Sequence, residues 1–330
     1  ARRAIVLATG SRALMPPIDG LAAVSAWSNR EITTASVVPD HLVVLGGGVV
    51  GCEMAQAWRA LGSAVTIVEG LDRLLGPEEP FASREIAEAF VEQGIEVRTG
   101  RKVTSAHRDG DGIVAGLDDG SLIRGSHLLV AVGRRPNSDE LGLETVGLEA
   151  GDYVEVDDYM RVQGVDDDDG PALYAIGDLN GRALLTHMGK YQARVAGDHI
   201  LGRDPRPAFA DLGISPRVTF TDPQLAAVGL TEAKAREKGL AVETVEVTTS
   251  GNAGASFHGR NTAGTSRLVI DAERGVIVGA TFVGFETAEM IHAATIAVIA
   301  EIPIPTLAHA VPAFPTRSEI WLKLLDSYGV

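Results

Sequence analysis

At 330 residues the chain exceeds one ordinary core, so two or three domains are expected. Apolar residues make up 45% and charged residues 22%, which excludes a disordered chain. A net charge of −15 argues against nucleic acid and anionic membranes as partners, because both need clustered basic surface.

In chain order, Ala4-Ile5-Val6-Leu7-Ala8 has the pattern of a buried strand with no lead-in, so the true start is expected upstream of Ala1. Thr9-Gly10-Ser11 follows, and then a Pro/Gly loop through Pro16, Pro17 and Gly20 that crosses between domains. Residues 36–133 have the pattern of a βαβ unit with additions. A strand is expected at 42–45, a glycine turn at 46–51 and a helix at 53–61, with Met54, Ala57, Trp58 and Leu61 at helical spacing. A second strand follows at 65–69, then a helix at 83–93 stopped by Gly94. Asp109-Gly110, Asp111-Gly112 and Asp119-Gly120 signal hairpins, and 128–132 is the closing strand.

Residues 134–208 open on Arg134-Arg135-Pro136-Asn137. They end in a strand at 173–176, then Gly177-Asp178 and a helix near 188–201. Residues 209–330 suggest an α+β unit, with strands near 218–220 and 268–270 and helices at 231–238 and 286–300. The apolar run at 291–300 is too short to span a membrane and contains His292, so it fits a buried or amphipathic helix. The charge run Asp166-Asp167-Asp168-Asp169 fits a solvated loop tip better than a metal site, because adjacent carboxylates do not converge without special backbone geometry. No metal site is expected. Cys52 is the single cysteine, so no internal disulfide forms and a cytoplasmic location is the default. The helix N-terminus would make Cys52 reactive; the lone-cysteine habit makes it a small buried packing residue.

With 38 glycines in 330 residues, a lone G-x-G-x-x-G arises by chance in about half of such chains, so its context must decide. Here a strand precedes Gly46, a helix follows Gly51, and Glu69 ends the next strand. Gly46 permits the tight turn, Gly48 admits a pyrophosphate close to the backbone, and Gly51 lets helix and strand pack. The helix N-terminus offers free N–H groups to phosphate. Glu69 would accept from an adenosine ribose and repel a 2′-phosphate, which favours NAD over NADP.

Five motifs, in order, resemble the class I pyridine nucleotide-disulfide oxidoreductases, the dihydrolipoyl dehydrogenase, mercuric reductase and soluble transhydrogenase group. They are Ala8-Thr9-Gly10-Ser11, Gly46 to Glu53, Ala131 to Asn137, Tyr174 to Asp178, and Pro216 to Pro223 with Val228 to Thr231. The resemblance implies an α/β fold: two Rossmann-like FAD and NAD domains, the first incomplete, plus a C-terminal α+β dimerisation domain. The domains would be 1–35 (partial FAD), 36–133 (NAD), 134–208 (FAD return segment) and 209–330 (dimerisation). It implies an FAD- and NAD-dependent oxidoreductase of cell redox homeostasis, acting as a homodimer on a small-molecule electron acceptor. Gly46, Gly47, Gly48, Val49, Val50, Gly51, Glu69, Val103, Ala131, Val132, Gly133 and Arg134 would line the NAD site. Thr9, Gly10, Gly177, Asp178 and Thr186 would contact FAD, with Asp178 on the ribityl chain. Read without the family, Asp178 suits a sugar hydroxyl or the N-cap of the next helix.

Two departures matter. The family's first βαβ unit, with its own glycine fingerprint and redox-active cysteine pair, is not in this sequence, so the chain by itself is expected to bind FAD poorly. The family's His-Pro-Thr-x-Ser-Glu motif is here Phe314-Pro315-Thr316-Arg317-Ser318-Glu319. Phenylalanine carries no proton, so acid–base help is missing at that position. Glu319 is the remaining catalytic candidate and fits a structural carboxylate better; His309 fits a surface or packing histidine. The departure weighs against lipoamide as acceptor, not against flavin–nicotinamide chemistry. The rival reading is a non-catalytic NAD-binding module or an inactive remnant.

Overall fold

The computed structural model describes residues 1–165, 170–259, 262 and 264–330, so the run Asp166 to Asp169 lies outside the described residues. The first elements are β1 (Ala4–Leu7), β2 (Ser11–Ala13) and α1 (Asn29–Thr34). Next come β3 (His41–Leu45), α2 (Val49–Ala60), β4 (Ala64–Glu69), α3 (Pro80–Glu92) and β5 (Ile95–Thr99). Next come β6 (Val103–Asp109), β7 (Gly112–Leu117), β8 (Leu122–Gly125), β9 (His127–Val130) and β10 (Arg134–Pro136). Then come β11 (Ala172–Ala175), α4 (Thr186–Ile200), β12 (Arg217–Thr219), β13 (Gln224–Gly229), α5 (Glu232–Glu237) and β14 (Val242–Thr248). The chain closes on β15 (Thr265–Asp271), β16 (Val276–Gly284), α6 (Thr287–Ile299), α7 (Ile304–Leu307) and α8 (Ile320–Tyr328).

These elements form two compact units: residues 1–12 with 134–215, and residues 13–133 with 216–330. In the larger unit β5-β4-β3-β9 is a parallel sheet. Its buried strands are continuous apolar runs because both faces are covered. The hairpins β6-β7-β8 form a separate antiparallel sheet beside Leu21, Val24 and Val130. The antiparallel sheet β12-β13-β16-β15-β14 carries α6 on one side. Its Leu225, Ala227 and Val283 share one core with Trp58, Phe81, Ile86 and Phe90 of α2 and α3.

Two ion pairs, each between a buried glutamate and a part-buried arginine, tie these parts of the larger unit together. Glu78 accepts two hydrogen bonds from Arg217, at 2.6 and 2.8 Å. Glu79, 1% exposed, accepts from Arg267 at 2.9 Å and from the Glu232 backbone N–H at 2.7 Å. Both glutamates precede Pro80 at the start of α3, so the helix entry is locked from the second sheet.

In the smaller unit β1 pairs with β11 in parallel, and α4 packs beside them through Val195 and Ala196 against Tyr174. Here an expectation is corrected. Ile5 and Val6 are 43% and 44% exposed, not buried. β1 has β11 as its partner in a two-stranded sheet, so these side chains are left without a covering layer among the described residues. A second correction concerns α2. It begins at Val49, and its buried stripe is Gly51, Cys52, Ala55 and Trp58, whereas Ala57 is exposed and Leu61 is 61% exposed. At 100° per residue, Ala57 and Leu61 fall off the face that meets β3. The 1–35 stretch also holds a helix, α1, beyond the expected Pro/Gly loop, where no element was expected. Ser28 and Glu31 form a reciprocal capping box that starts α1, a signal present in the sequence.

Candidate functional site

One candidate site is the turn between β3 and α2. Gly46 has φ +99°, and a Cβ on it would lie 2.4 Å from the Ala131 carbonyl oxygen. A Cβ on Gly51 would lie 1.9 Å from the Gly46 carbonyl oxygen. Both positions therefore demand glycine for packing. Gly48 differs: a Cβ there would meet nothing within 4 Å. It stands in open space as the N-cap of α2, with no side chain capping the helix. The first N–H groups of a 12-residue helix are thus free to meet an anion.

Glu69, at the end of β4, closes this turn from the side. Its Oε2 accepts from Gly47 N at 2.6 Å and its Oε1 from Leu71 N at 2.7 Å. Val49 is 44% exposed and Val50 half-buried. Ala131 is half-buried and donates its N–H to Leu45 O at 2.7 Å; Val132 and Gly133 are exposed. Val103 is 8% exposed and its side chain packs in the core with Val68 and Val130. Cys52 is fully buried, its thiol 3.3 Å from Gly47 O. Burial, with Glu69 and Glu53 adding, pushes that thiol far above its ordinary range, so it is a packing residue.

A second candidate site lies in the smaller unit. Thr9 Oγ1 donates to Asn137 O at 2.8 Å, Asn137 Nδ2 to Thr9 O at 2.9 Å, and Asn137 N to Gly10 O at 2.9 Å. Ser11 Oγ donates to Asp178 Oδ2 at 2.5 Å. Arg134 donates to Ser11 Oγ and Ser11 O at 2.6 and 2.7 Å, and its Nε stands 3.4 Å from Asp178 Oδ2. Three motifs far apart in sequence thus meet on one carboxylate. Arg134, expected to line the NAD site, turns its guanidinium onto Ser11 and Asp178. The arginine's reach across paired strands, invisible in the sequence, decides this.

Gly177 has φ +71° and opens a short 3-10 turn that carries Asp178. The N-cap of α4 is Leu185, with no side-chain cap, so Asp178 is not that helix's cap. Thr186 is the first residue of α4 and is exposed. Gly10 is likewise open, with nothing within 4 Å of an added Cβ.

The C-terminal turn offers less. Phe314 is 77% exposed. Glu319 lies in a 3-10 turn, and its buried Oε2 has no hydrogen-bond partner among the described residues. His309 is exposed. No group of three or more His, Cys, Asp or Glu residues among those described is arranged to hold a metal ion. No described helix is long and apolar enough to cross a membrane.

A parallel sheet with a glycine turn, an uncapped helix and an acidic second strand defines a dinucleotide-binding α/β protein. The family can be stated as well. Residues 1–196 match the pyridine nucleotide-disulphide oxidoreductase model and residues 215–325 match that family's dimerisation domain; the chain belongs to this family. Its members use FAD and NAD(H). The chain is 36% identical over 324 residues to a mercuric reductase of Streptomyces lividans, covering 97% of this chain and 66% of that protein. It is 33% identical over 331 residues to a dihydrolipoyl dehydrogenase of Haloferax volcanii, covering 98% and 67%. It thus spans about two thirds of the length of the curated relatives it matches. The solved structure of LpdA from Mycobacterium tuberculosis superposes with a TM-score of 0.86 at 29% identity, covering 99% of this chain and 70% of that one.

Both cofactors find fitting residues. For NAD(H) there is the open space at Gly48, the uncapped α2 and the second-strand carboxylate. For FAD there is the open Gly10 and Gly177 backbone, Asp178 and the uncapped α4.

Proposed function

We propose that the protein is an FAD-dependent oxidoreductase that moves hydride between NAD(H) and flavin and passes electrons on to a small-molecule acceptor. The observation that carries this reading is the convergence of Ser11 and Arg134 on Asp178, which brings three family motifs to one carboxylate. In this reading Gly46 to Gly51 and Glu69 hold the dinucleotide, while Thr9, Gly10, Gly177, Asp178 and Thr186 hold the flavin. When bound, the flavin supplies the redox chemistry; the protein orients the reacting groups. Residues 36–133 act as the NAD-binding domain, 1–35 and 134–208 as the flavin-binding segments, and 209–330 as the dimerisation domain of a homodimer. The protein works in the cytoplasm.

The acceptor is a disulfide, a quinone, a metal ion or another nicotinamide. The mercuric reductase and dihydrolipoyl dehydrogenase among the relatives keep a metal ion and a disulfide in that set. Phe314 weighs against dihydrolipoamide, since no proton can be held there. Glu319 is assigned a structural part. The test is an FAD titration of the full-length protein, with any sequence upstream of Ala1 included, followed by anaerobic NADH, read as bleaching of the flavin absorbance. A protein that binds NADH but no flavin supports the non-catalytic NAD-binding module instead. Rapid dihydrolipoamide turnover would refute the weight placed on Phe314, and a monomer in sedimentation would refute the homodimer.

A further inference from the structure

Behind the Gly177-Asp178 turn runs a buried chain of polar groups that none of the motifs includes. The Asp211 side chain is fully buried. Its Oδ1 accepts from Arg182 Nη2 and its Oδ2 from Gln192 Nε2, each at 2.9 Å. Gln192, on α4, is 0% exposed. Its Oε1 accepts from the Gly177 backbone N–H at 2.7 Å and from Asn180 Nδ2 at 3.0 Å. Arg182 is itself anchored on Asp158 Oδ1 and on the Asp157 and Ala208 carbonyls.

Donor and acceptor types give this chain a direction. A carboxylate offers only acceptors, so Asp211 admits the amide nitrogen of Gln192 and rejects its oxygen. The oxygen must then face Gly177. In a buried site each of these groups is costly to leave unpaired, so the arrangement is held as a unit. The residue next to Gly177 is Asp178.

We propose that Gln192, oriented by Asp211, is a positioning residue for Asp178: it fixes the backbone of the Gly177-Asp178 turn so that the carboxylate faces the flavin's polyol chain. This rests on the flavin reading above. Ser11 and Arg134 hold Asp178 by its side chain; Gln192 holds its turn by the backbone.

Two variants test it, each read by amide hydrogen exchange at Gly177 and by FAD titration of the protein. Gln192→Met keeps length and burial but removes the bonds at both ends. It is expected to speed Gly177 exchange and weaken FAD binding, each by about tenfold for the loss of a buried hydrogen bond, while NADH binding holds. Gln192→Glu sets a second carboxylate against Asp211, with Arg182 and Asp158 as the other charges of the cluster, so while ionised it is driven away from Asp211 and from the Gly177 N–H. Ionised, it matches the Met variant at pH 8. Protonated, it regains a donor for Asp211, so both readouts return toward wild type as pH falls to 5. A side chain that merely fills space would show no such recovery. Unchanged Gly177 exchange in the Met variant overturns the proposal, and so does faster exchange with unaltered FAD affinity. A protein with Gln192 in place that binds no FAD overturns the flavin reading itself, and the role of Gln192 with it.

Discussion

Glu69 Oε2 accepts the Gly47 N–H at 2.6 Å, so the carboxylate that ends the second strand also fixes the turn that ends the first. Each oxygen has a further lone pair, which leaves room for a ribose hydroxyl while its charge repels a 2′-phosphate. Calorimetric titration is expected to give tighter binding of NADH than NADPH. Glu69→Ala should lower stability by about 1–3 kcal/mol through the unpaired Gly47 N–H, and should narrow the preference. Equal affinity for the two cofactors in the unmutated protein would sink this account.

Gly48 and Gly51 should separate binding from folding. At Gly51 a methyl group would lie 1.9 Å from a backbone oxygen that cannot move aside. Gly51→Ala is therefore expected to cost about 3 kcal/mol or more, seen as a lowered denaturation midpoint. At Gly48 a methyl group meets nothing in the protein. Gly48→Ala should leave the midpoint near wild type and weaken NADH binding.

The Glu79–Arg267 pair should matter more than the exposed pairs. Glu79 is 1% exposed; Glu79→Ala removes one carboxylate from the part-buried Arg267, which keeps Glu232 and Glu246, and leaves the Glu232 N–H without its acceptor, so it is expected to cost about 1–3 kcal/mol. Asp109, by contrast, pairs with Arg124 at the surface. Asp109→Ala should change stability by less than about 1 kcal/mol. Equal effects in urea melts would refute the distinction.

Burial pushes the Glu53 carboxyl above its ordinary value of 4.5, against the opposing hydrogen bond from Phe220 N. The folded state thus binds this proton more tightly than the unfolded state. Stability is greatest below 4.5 on this account and falls as pH rises through the window up to the raised folded value. Gln at this position keeps an acceptor for Phe220 N and does not titrate. Glu53→Gln is expected to raise the melting temperature at pH 7 and to leave it unchanged at pH 4.

The β3–α2–β4 unit was legible in the sequence because its signals are local. An apolar run, three glycines and an acidic residue at a fixed distance express geometry confined to some 30 residues. The exposure of Ile5 and Val6 was not legible, because an apolar run records what a strand can bury and not whether a layer covers it. Nor was the buried stripe of α2, whose phase depends on where the helix starts.

The sequence by itself determined the dinucleotide turn, the family and the missing imidazole at Phe314, since each is written in residue type and short-range spacing. Only the tertiary structure decided that Arg134 serves Asp178, that Val103 is core, and that Gln192 and Asp211 stand behind the Gly177 turn. Those relationships join side chains through hydrogen bonds whose direction depends on which strands and helices meet, and no local pattern encodes that meeting.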